Sequence, residues 1–83
     1  MARSRSEAAY LKALGAAVRA VREQQELSQE ELGFEADLDR TYISGIERGV
    51  RNPTVTSLCK IAAALGTSPA QFLVSAESKR GRA

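Results

Sequence analysis

The sequence predicts a compact all-α domain of five helices. Hydrophobic residues fill 43% of its 83 positions, which is enough for a small helical bundle. Apolar residues recur at helical spacing, and a residue able to cap a helix N-terminus precedes each of the last four predicted helices. These caps are Ser28, Asp39, Thr54 and Ser68.

Helix one is predicted over Glu7–Gln25, where hydrophobic residues repeat with a helical period. Its inward-facing residues are Leu11, Leu14, Val18 and Val21. Gly15 lowers the helix propensity of this segment. We therefore expect another element to pack closely against helix one at this glycine.

Helices two and three are predicted over Gln29–Ala36 and Arg40–Arg48. Ser28 and Glu31 have the spacing of a capping box, in which each side chain accepts a hydrogen bond from the other residue's backbone N–H. Gly49 is the expected stop of helix three.

Only residues 37–39 connect these two helices, and Asp37 suits the unusual backbone angles of so short a turn. Two short helices joined in this way predict a helix-turn-helix, a motif whose second helix usually enters the DNA major groove. The sequence thus predicts a sequence-specific DNA-binding regulator.

Helix four is predicted over Val55–Leu65, and helix five begins at Pro69. We expect a flexible basic N-terminal tail over residues 1–6, the DNA-binding domain over residues 7–75 and a flexible basic C-terminal tail over residues 76–83.

The segment SQEELGFEADLDRTYISGIERG, residues 28–49, resembles the lambda-repressor-like (XRE) family of helix-turn-helix DNA-binding proteins. The stretch DRTYISGIERGVRNPT, residues 39–54, is similar to the controller proteins of restriction–modification systems. The resemblance implies a lambda-repressor-like fold and a dimer that binds a palindromic operator, with control of its own promoter and of a restriction–modification operon. Many members of the family carry glycine where this chain has Asp37.

Helix three carries the predicted base-reading residues, because the residues near the start of the second helix reach base edges in this motif. The predicted contacts on helix three are Arg40, Thr41, Ser44 and Arg48. Arg40 suits a bidentate contact to guanine, and Thr41 suits a base edge, a phosphate or a thymine methyl. Gly45 would let the helix backbone lie close to DNA or to a partner. The alternative is that these residues form a solvated helix face.

Further DNA contacts are expected from residues that do not lie on the outer face of helix three. Gln29, at the start of helix two, suits a phosphate oxygen, a role that the resemblance also implies. The resemblance implies that Arg51 and Asn52, in the loop after helix three, contact DNA. The alternative is that Asn52 only forms a turn before proline and Arg51 is solvated. Tyr42 is placed either on the sugar–phosphate backbone or partly in the core.

Arg22 and Glu47 both border the core on their predicted helices. The resemblance implies that these two positions form a partly buried ion pair, which would tie helix one to helix three. The rival role for Arg22 is a phosphate contact.

A homodimer is expected because one such motif reads only a few base pairs. Its candidate interface is Val55, Phe72, Leu73 and Val74, although Phe72 and Leu73 could instead close the core. RNA polymerase is a further candidate partner, through an acidic patch on helix two. That patch comprises Glu30, Glu31 and Glu35.

Charge and composition limit the kinds of function that we expect of this chain. The net charge is +2, but residues 7–75 carry seven basic and nine acidic side chains, so local placement rather than bulk charge must attract DNA. The chain has no histidine, and its lone Cys59, expected to pack as a small hydrophobe, fits a reducing cytoplasm. We expect no metal, no cofactor, no membrane span and no enzymatic activity. An antitoxin or other protein-interaction module, or a general phage-type repressor, is the alternative function.

Overall fold

The computed structural model describes the backbone of residues 5–80 and the side chains of residues 6–79. Five helices follow one another along this part of the chain, which confirms the all-α prediction. They are α1 (Arg5–Gln24), α2 (Gln29–Ala36), α3 (Arg40–Glu47), α4 (Val55–Leu65) and α5 (Pro69–Arg80).

Helices α2 and α4 begin directly after the capping residues that the sequence predicts. Ser28 and Glu31 form the predicted capping box, with hydrogen bonds of 2.9 Å to the Glu31 N–H and 2.8 Å from the Ser28 N–H. Thr54 caps α4 through the Ser57 N–H at 3.0 Å. These bonds satisfy N–H groups that have no partner inside the first helical turn, so each helix begins where its cap places it.

The turn between α2 and α3 depends on Asp37, which adopts the left-handed conformation at φ 57° and ψ 46°. The predicted unusual geometry is confirmed, and aspartate tolerates it better than most residues with a side chain. The turn brings the Leu38 carbonyl so close to Gly33 that a Cβ on Gly33 would lie 2.6 Å from that oxygen. A glycine in α2 thus allows the tight approach of the turn.

The core lies where all five helices meet. Its fully buried large side chains are Val18, Leu32, Ile43, Ile46, Ile61 and Phe72. A Cβ on Gly15 would lie 2.2 Å from the Ile46 carbonyl oxygen, so the backbones of α1 and α3 are nearly in contact, as the position of this glycine predicted. This contact fixes α3 against the longest helix of the domain.

The helix α5 corrects the predicted domain boundary at residue 75. It continues to Arg80, and Ala76 is fully buried. Tyr10 of α1 donates a 3.3 Å hydrogen bond to Glu77, because α5 packs along α1. Helix α1 also begins at Arg5, inside the predicted tail. The flexibility expected of residues 1–4 and 81–83 lies outside the described residues.

Candidate DNA-binding surface

The first turn of α3 is held by Asp39. Its Oδ1 accepts hydrogen bonds from the backbone N–H of Thr41, at 2.8 Å, and from the Thr41 hydroxyl. The hydroxyl bond and then the backbone bond hold the pKa of the Asp39 carboxyl below its ordinary value. The hydroxyl proton of Thr41 is therefore committed to the cap, which leaves its oxygen as an acceptor and its methyl group for an outside partner.

The predicted base-reading residues lie along one outward strip of α3. Arg40, Thr41 and Arg48 are exposed and Ser44 is half-buried. Arg48 donates to the Ser44 hydroxyl at 3.3 Å, so these two side chains meet on the strip. Ile43 and Ile46 face the core as expected. This arrangement leaves the Arg40 guanidinium free of any carboxylate partner among residues 6–79.

The predicted pair between Arg22 and Glu47 forms, and both residues are only 8% exposed. Arg22 donates through Nε to Oε2 at 2.7 Å and through Nη2 to Oε1 at 2.9 Å. Its third nitrogen, Nη1, donates to the Leu27 carbonyl at 2.7 Å. The hydrogen bond to Glu47 raises the pKa of Arg22 above its ordinary value, against the effect of burial. Because all three nitrogens are engaged inside the protein, this geometry favours the structural role over a phosphate contact.

Gln29 joins the same cluster, a contact that sequence reasoning missed. Its Nε2 donates to Glu47 Oε1 at 3.0 Å. The contact fixes which way the amide points and leaves the second N–H of the same nitrogen for another acceptor. Glu47 is the shared acceptor of both contacts, and no local sequence pattern links it to Gln29.

Tyr42, for which the sequence left two placements open, is half-buried and packs against the core. Its hydroxyl accepts from the Thr54 N–H at 3.4 Å, so the ring is also tied to the start of α4. The guanidinium of Arg51 lies 5.7 Å from the ring centroid, within the range of a cation–π contact.

The surroundings of Gly45 differ from those that we expected. We expected its bare backbone to approach DNA or a partner, but a Cβ at this position would lie 2.4 Å from Cγ of Arg51. The side chain of Arg51 covers this glycine. The neighbouring Asn52 is exposed in the loop before Pro53.

Phe72 does not belong to the expected dimer surface. It is 1% exposed and fills the core, whereas Val55 is 79%, Leu73 36% and Val74 62% exposed. Helical geometry turns adjacent residues of α5 about 100° apart, so only one of Phe72 and Leu73 points fully inward. Val55 and Leu73 line a shared groove of about 320 Å³ with Tyr10 and Pro53.

Two further exposed side chains were not anticipated from the sequence. Cys59 is exposed rather than packed. Phe34 on α2 is 88% exposed, and sequence reasoning gave it no role. The buried Leu32 and Ala36 flank it two positions away on each side, which would have placed Phe34 on the opposite face of the helix. Glu30 and Glu35 are exposed carboxylates on the same helix, and the carboxylate of Glu31 accepts the capping-box hydrogen bond.

Among residues 5–80, no group of three or more histidine, cysteine, aspartate or glutamate side chains is arranged to hold a metal ion. Over the same residues, every helix is too short or too polar to cross a membrane.

Comparisons with known proteins agree with the helix-turn-helix geometry. A family model described as helix-turn-helix matches residues 18–72. The control protein C.BamHI of Bacillus amyloliquefaciens is 55% identical over 47 residues, which cover 57% of this chain and 58% of that protein. The control protein C.MunI of a Mycoplasma species is 41% identical over 58 residues, covering 70% and 78%. This chain thus spans less than two thirds of the first relative's length and more than two thirds of the second's.

A solved structure of a controller protein shows that the similarity extends to the three-dimensional fold. The restriction–modification controller protein C.AhdI of Aeromonas hydrophila superposes with a TM-score of 0.74 at 40% sequence identity. The match covers 75% of this chain and 94% of that protein. The similarity therefore includes the overall arrangement of the helices as well as the sequence of the central motif.

Proposed function

This chain belongs to the XRE-type helix-turn-helix family, and we propose that it is a sequence-specific DNA-binding regulator of transcription. One observation carries the proposal: the outward strip of α3 presents the exposed Arg40, unpaired by any carboxylate of residues 6–79, beside Thr41. In the helix-turn-helix, that part of the second helix reaches base edges in the major groove.

In the proposed complex, Arg40 donates to O6 and N7 of a guanine. Thr41 accepts from a base amino group or places its methyl group on a thymine methyl, because its hydroxyl proton is held by Asp39. Ser44 and Arg48 contact the flanking bases or phosphates, and Tyr42 supports the strip from its half-buried position.

Phosphate contacts set the register of α3 in the groove. Gln29 supplies one through the amide N–H that Glu47 leaves available, at the positive end of the α2 dipole. Arg51 and Asn52 supply further contacts from the loop after α3. Along the chain, Gln29 begins the first helix of the motif, and Arg51 and Asn52 follow its second helix.

The similarity to C.BamHI, C.MunI and C.AhdI supports a more specific role, the control of a restriction–modification operon. We propose that the chain binds a palindromic operator upstream of its own gene as a homodimer. The exposed Val55, Leu73 and Val74 form the proposed dimer surface, since three apolar side chains so exposed on α4 and α5 suit an apolar partner. Binding to DNA would place the protein in the cytoplasm.

RNA polymerase is the proposed protein partner at an activated promoter. The supporting feature is Phe34, an exposed aromatic ring with Glu30 and Glu35 on the same helix. An aromatic anchor with a charged rim is typical of protein interfaces. Phe34→Ala should therefore leave DNA affinity unchanged and reduce transcription from an activated promoter, measured in a purified transcription assay. Unchanged transcription would refute this contact.

The test of DNA binding is fluorescence anisotropy with a labelled duplex from just upstream of the gene, in excess competitor DNA and across a salt series. Arg40→Ala should lose about 1–3 kcal/mol of discrimination between the operator and a duplex with its guanines replaced. Lys60→Ala is the matched control, because it removes the same charge from α4 beside Glu35 and Asp37. Competitor-sensitive binding that is indifferent to Arg40 would refute recognition of this DNA by α3.

A further inference from the structure

The side chain of Arg51 runs back along α3. Two backbone hydrogen bonds set this direction. The N–H groups of Val50 and Arg51 both donate to the Gly45 carbonyl, at 3.0 and 3.1 Å. The chain reverses at Gly49, whose φ is 77°. These contacts place the backbone of Arg51 beside the last turn of α3 rather than away from it.

Gly45 makes room for the aliphatic part of Arg51. An added Cβ would lie 2.4 Å from Cγ of Arg51, 3.4 Å from its Cβ and 3.6 Å from its Cδ. The stem of the arginine therefore occupies the volume that any other residue at this position would fill. For this reason Gly45 is buried although it lies on the outer side of the helix.

The guanidinium of Arg51 ends over the ring of Tyr42, at 5.7 Å from the centroid. Tyr42 lies one helical turn before Gly45, so the arginine points toward the end of α3 that carries Arg40. The ring itself is held by the core and by the Thr54 N–H. No carboxylate of residues 6–79 pairs with this guanidinium, which keeps its N–H donors available.

We propose that Gly45 is a positioning residue for DNA recognition, which acts by seating Arg51 against Tyr42. The inference rests on the proposed function. Because the arginine is ordered before DNA arrives, binding loses less side-chain entropy. Arg51 then extends the reading strip of α3, although it lies in the loop beyond the helix.

The first arm of the test needs no DNA. In labelled wild-type protein, the NMR signals of the Arg51 side-chain protons should be shifted by the ring current of Tyr42, and Gly45→Ala should return them toward the values of a free arginine. Circular dichroism should show an intact fold, since alanine raises helix propensity. Unshifted signals in the wild type, or unchanged signals in the variant, would overturn the seating.

The second arm is a double-mutant cycle on the operator duplex. Gly45→Ala should raise Kd about three- to tenfold, the expected cost of ordering one arginine side chain on binding. In the Arg51→Ala background the same change should alter Kd by less than about twofold, because the seated side chain is gone. An equal loss in both backgrounds would mean that Gly45 contacts DNA directly, and would overturn the proposal.

The two arms also separate this inference from the proposed function. If the wild type fails to bind the operator specifically, the proposed function and the DNA role of Arg51 both fall. The NMR arm still decides whether Gly45 seats the arginine, because it is measured on the free protein.

Discussion

The side-chain amide of Gln29 donates a 3.0 Å hydrogen bond to Glu47, across 18 residues of sequence. Glu47 is held in turn by Arg22 through bonds of 2.7 and 2.9 Å. The first residue of α2 is therefore attached to the buried ion pair that joins α1 to α3. A proposed phosphate-binding side chain thus takes its orientation from the core.

Glu47→Ala should destabilise the domain by about 3–5 kcal/mol, because it leaves the Arg22 guanidinium buried without a carboxylate. Urea denaturation followed by circular dichroism measures this loss. The matched control is Glu23→Ala, which breaks the exposed pair between Arg19 and Glu23 at 3.0 Å. An exposed pair of this spacing contributes about 0.3–0.5 kcal/mol. Similar losses in both variants would contradict a structural role for the buried pair.

Gln29→Ala should weaken operator binding about three- to tenfold, in keeping with one lost hydrogen bond. Because the amide is uncharged, the slope of log Kd against log salt should stay unchanged. Anisotropy titrations at several salt concentrations measure both quantities. Gln24→Ala, at an exposed glutamine at the end of α1, is the control. An altered slope, or wild-type affinity, would argue against an uncharged phosphate contact by Gln29.

Asp39 should make the fold sensitive to acid. Its pKa is lowered in the folded state, so its contribution to stability is present above the unfolded pKa of about 3.9 and is lost as pH falls through the folded pKa. Asp39→Asn keeps a capping oxygen but has no charge to lose. The wild type should therefore have the higher Tm at neutral pH, and the difference should vanish in strong acid. A Tm difference independent of pH would contradict a role for the charge.

The proposed dimer surface and the core meet at two adjacent residues of α5, because Leu73 is 36% exposed and Phe72 is 1% exposed. Val74→Glu, at a 62% exposed residue next to Leu73, should raise the dimer dissociation constant without unfolding the chain. Phe72→Ala should instead cost about 3–5 kcal/mol of stability, because it empties a filled core position.

Analytical ultracentrifugation and thermal denaturation distinguish these two effects. Ala20→Glu adds the same charge to an exposed site on α1 and serves as the control for Val74→Glu. If Val74→Glu leaves the dissociation constant at the wild-type value, the proposed surface is wrong.

Much of the helix-turn-helix was predictable because its signals are local. The capping box of Ser28 and Glu31, the cap at Asp39 and the left-handed Asp37 each act within four residues of chain. The structure places α2 and α4 at the predicted bounds, and moves the end of α3 by one residue to Glu47. Such short-range hydrogen bonds form in the same way whatever the rest of the chain does.

The C-terminal end of α5 could not be predicted from local signals. Residues 76–80 are small, polar and basic, which is typical of a fraying terminus. Ala76 is nevertheless fully buried, and Glu77 accepts a hydrogen bond from Tyr10. Packing along α1, which begins at Arg5, maintains helix in a segment whose own sequence gives little support to it.

The sequence by itself determined the five helices, the turn between α2 and α3 and the outward strip that begins at Arg40, because periodicity and capping are properties of neighbouring residues. Only the tertiary structure decided what Gln29 and Arg51 contact and that Phe72 lies inside. Those outcomes depend on how helices and loops pack against one another across the chain. The amide bond to Glu47 and the arginine stem over Gly45 are products of that packing.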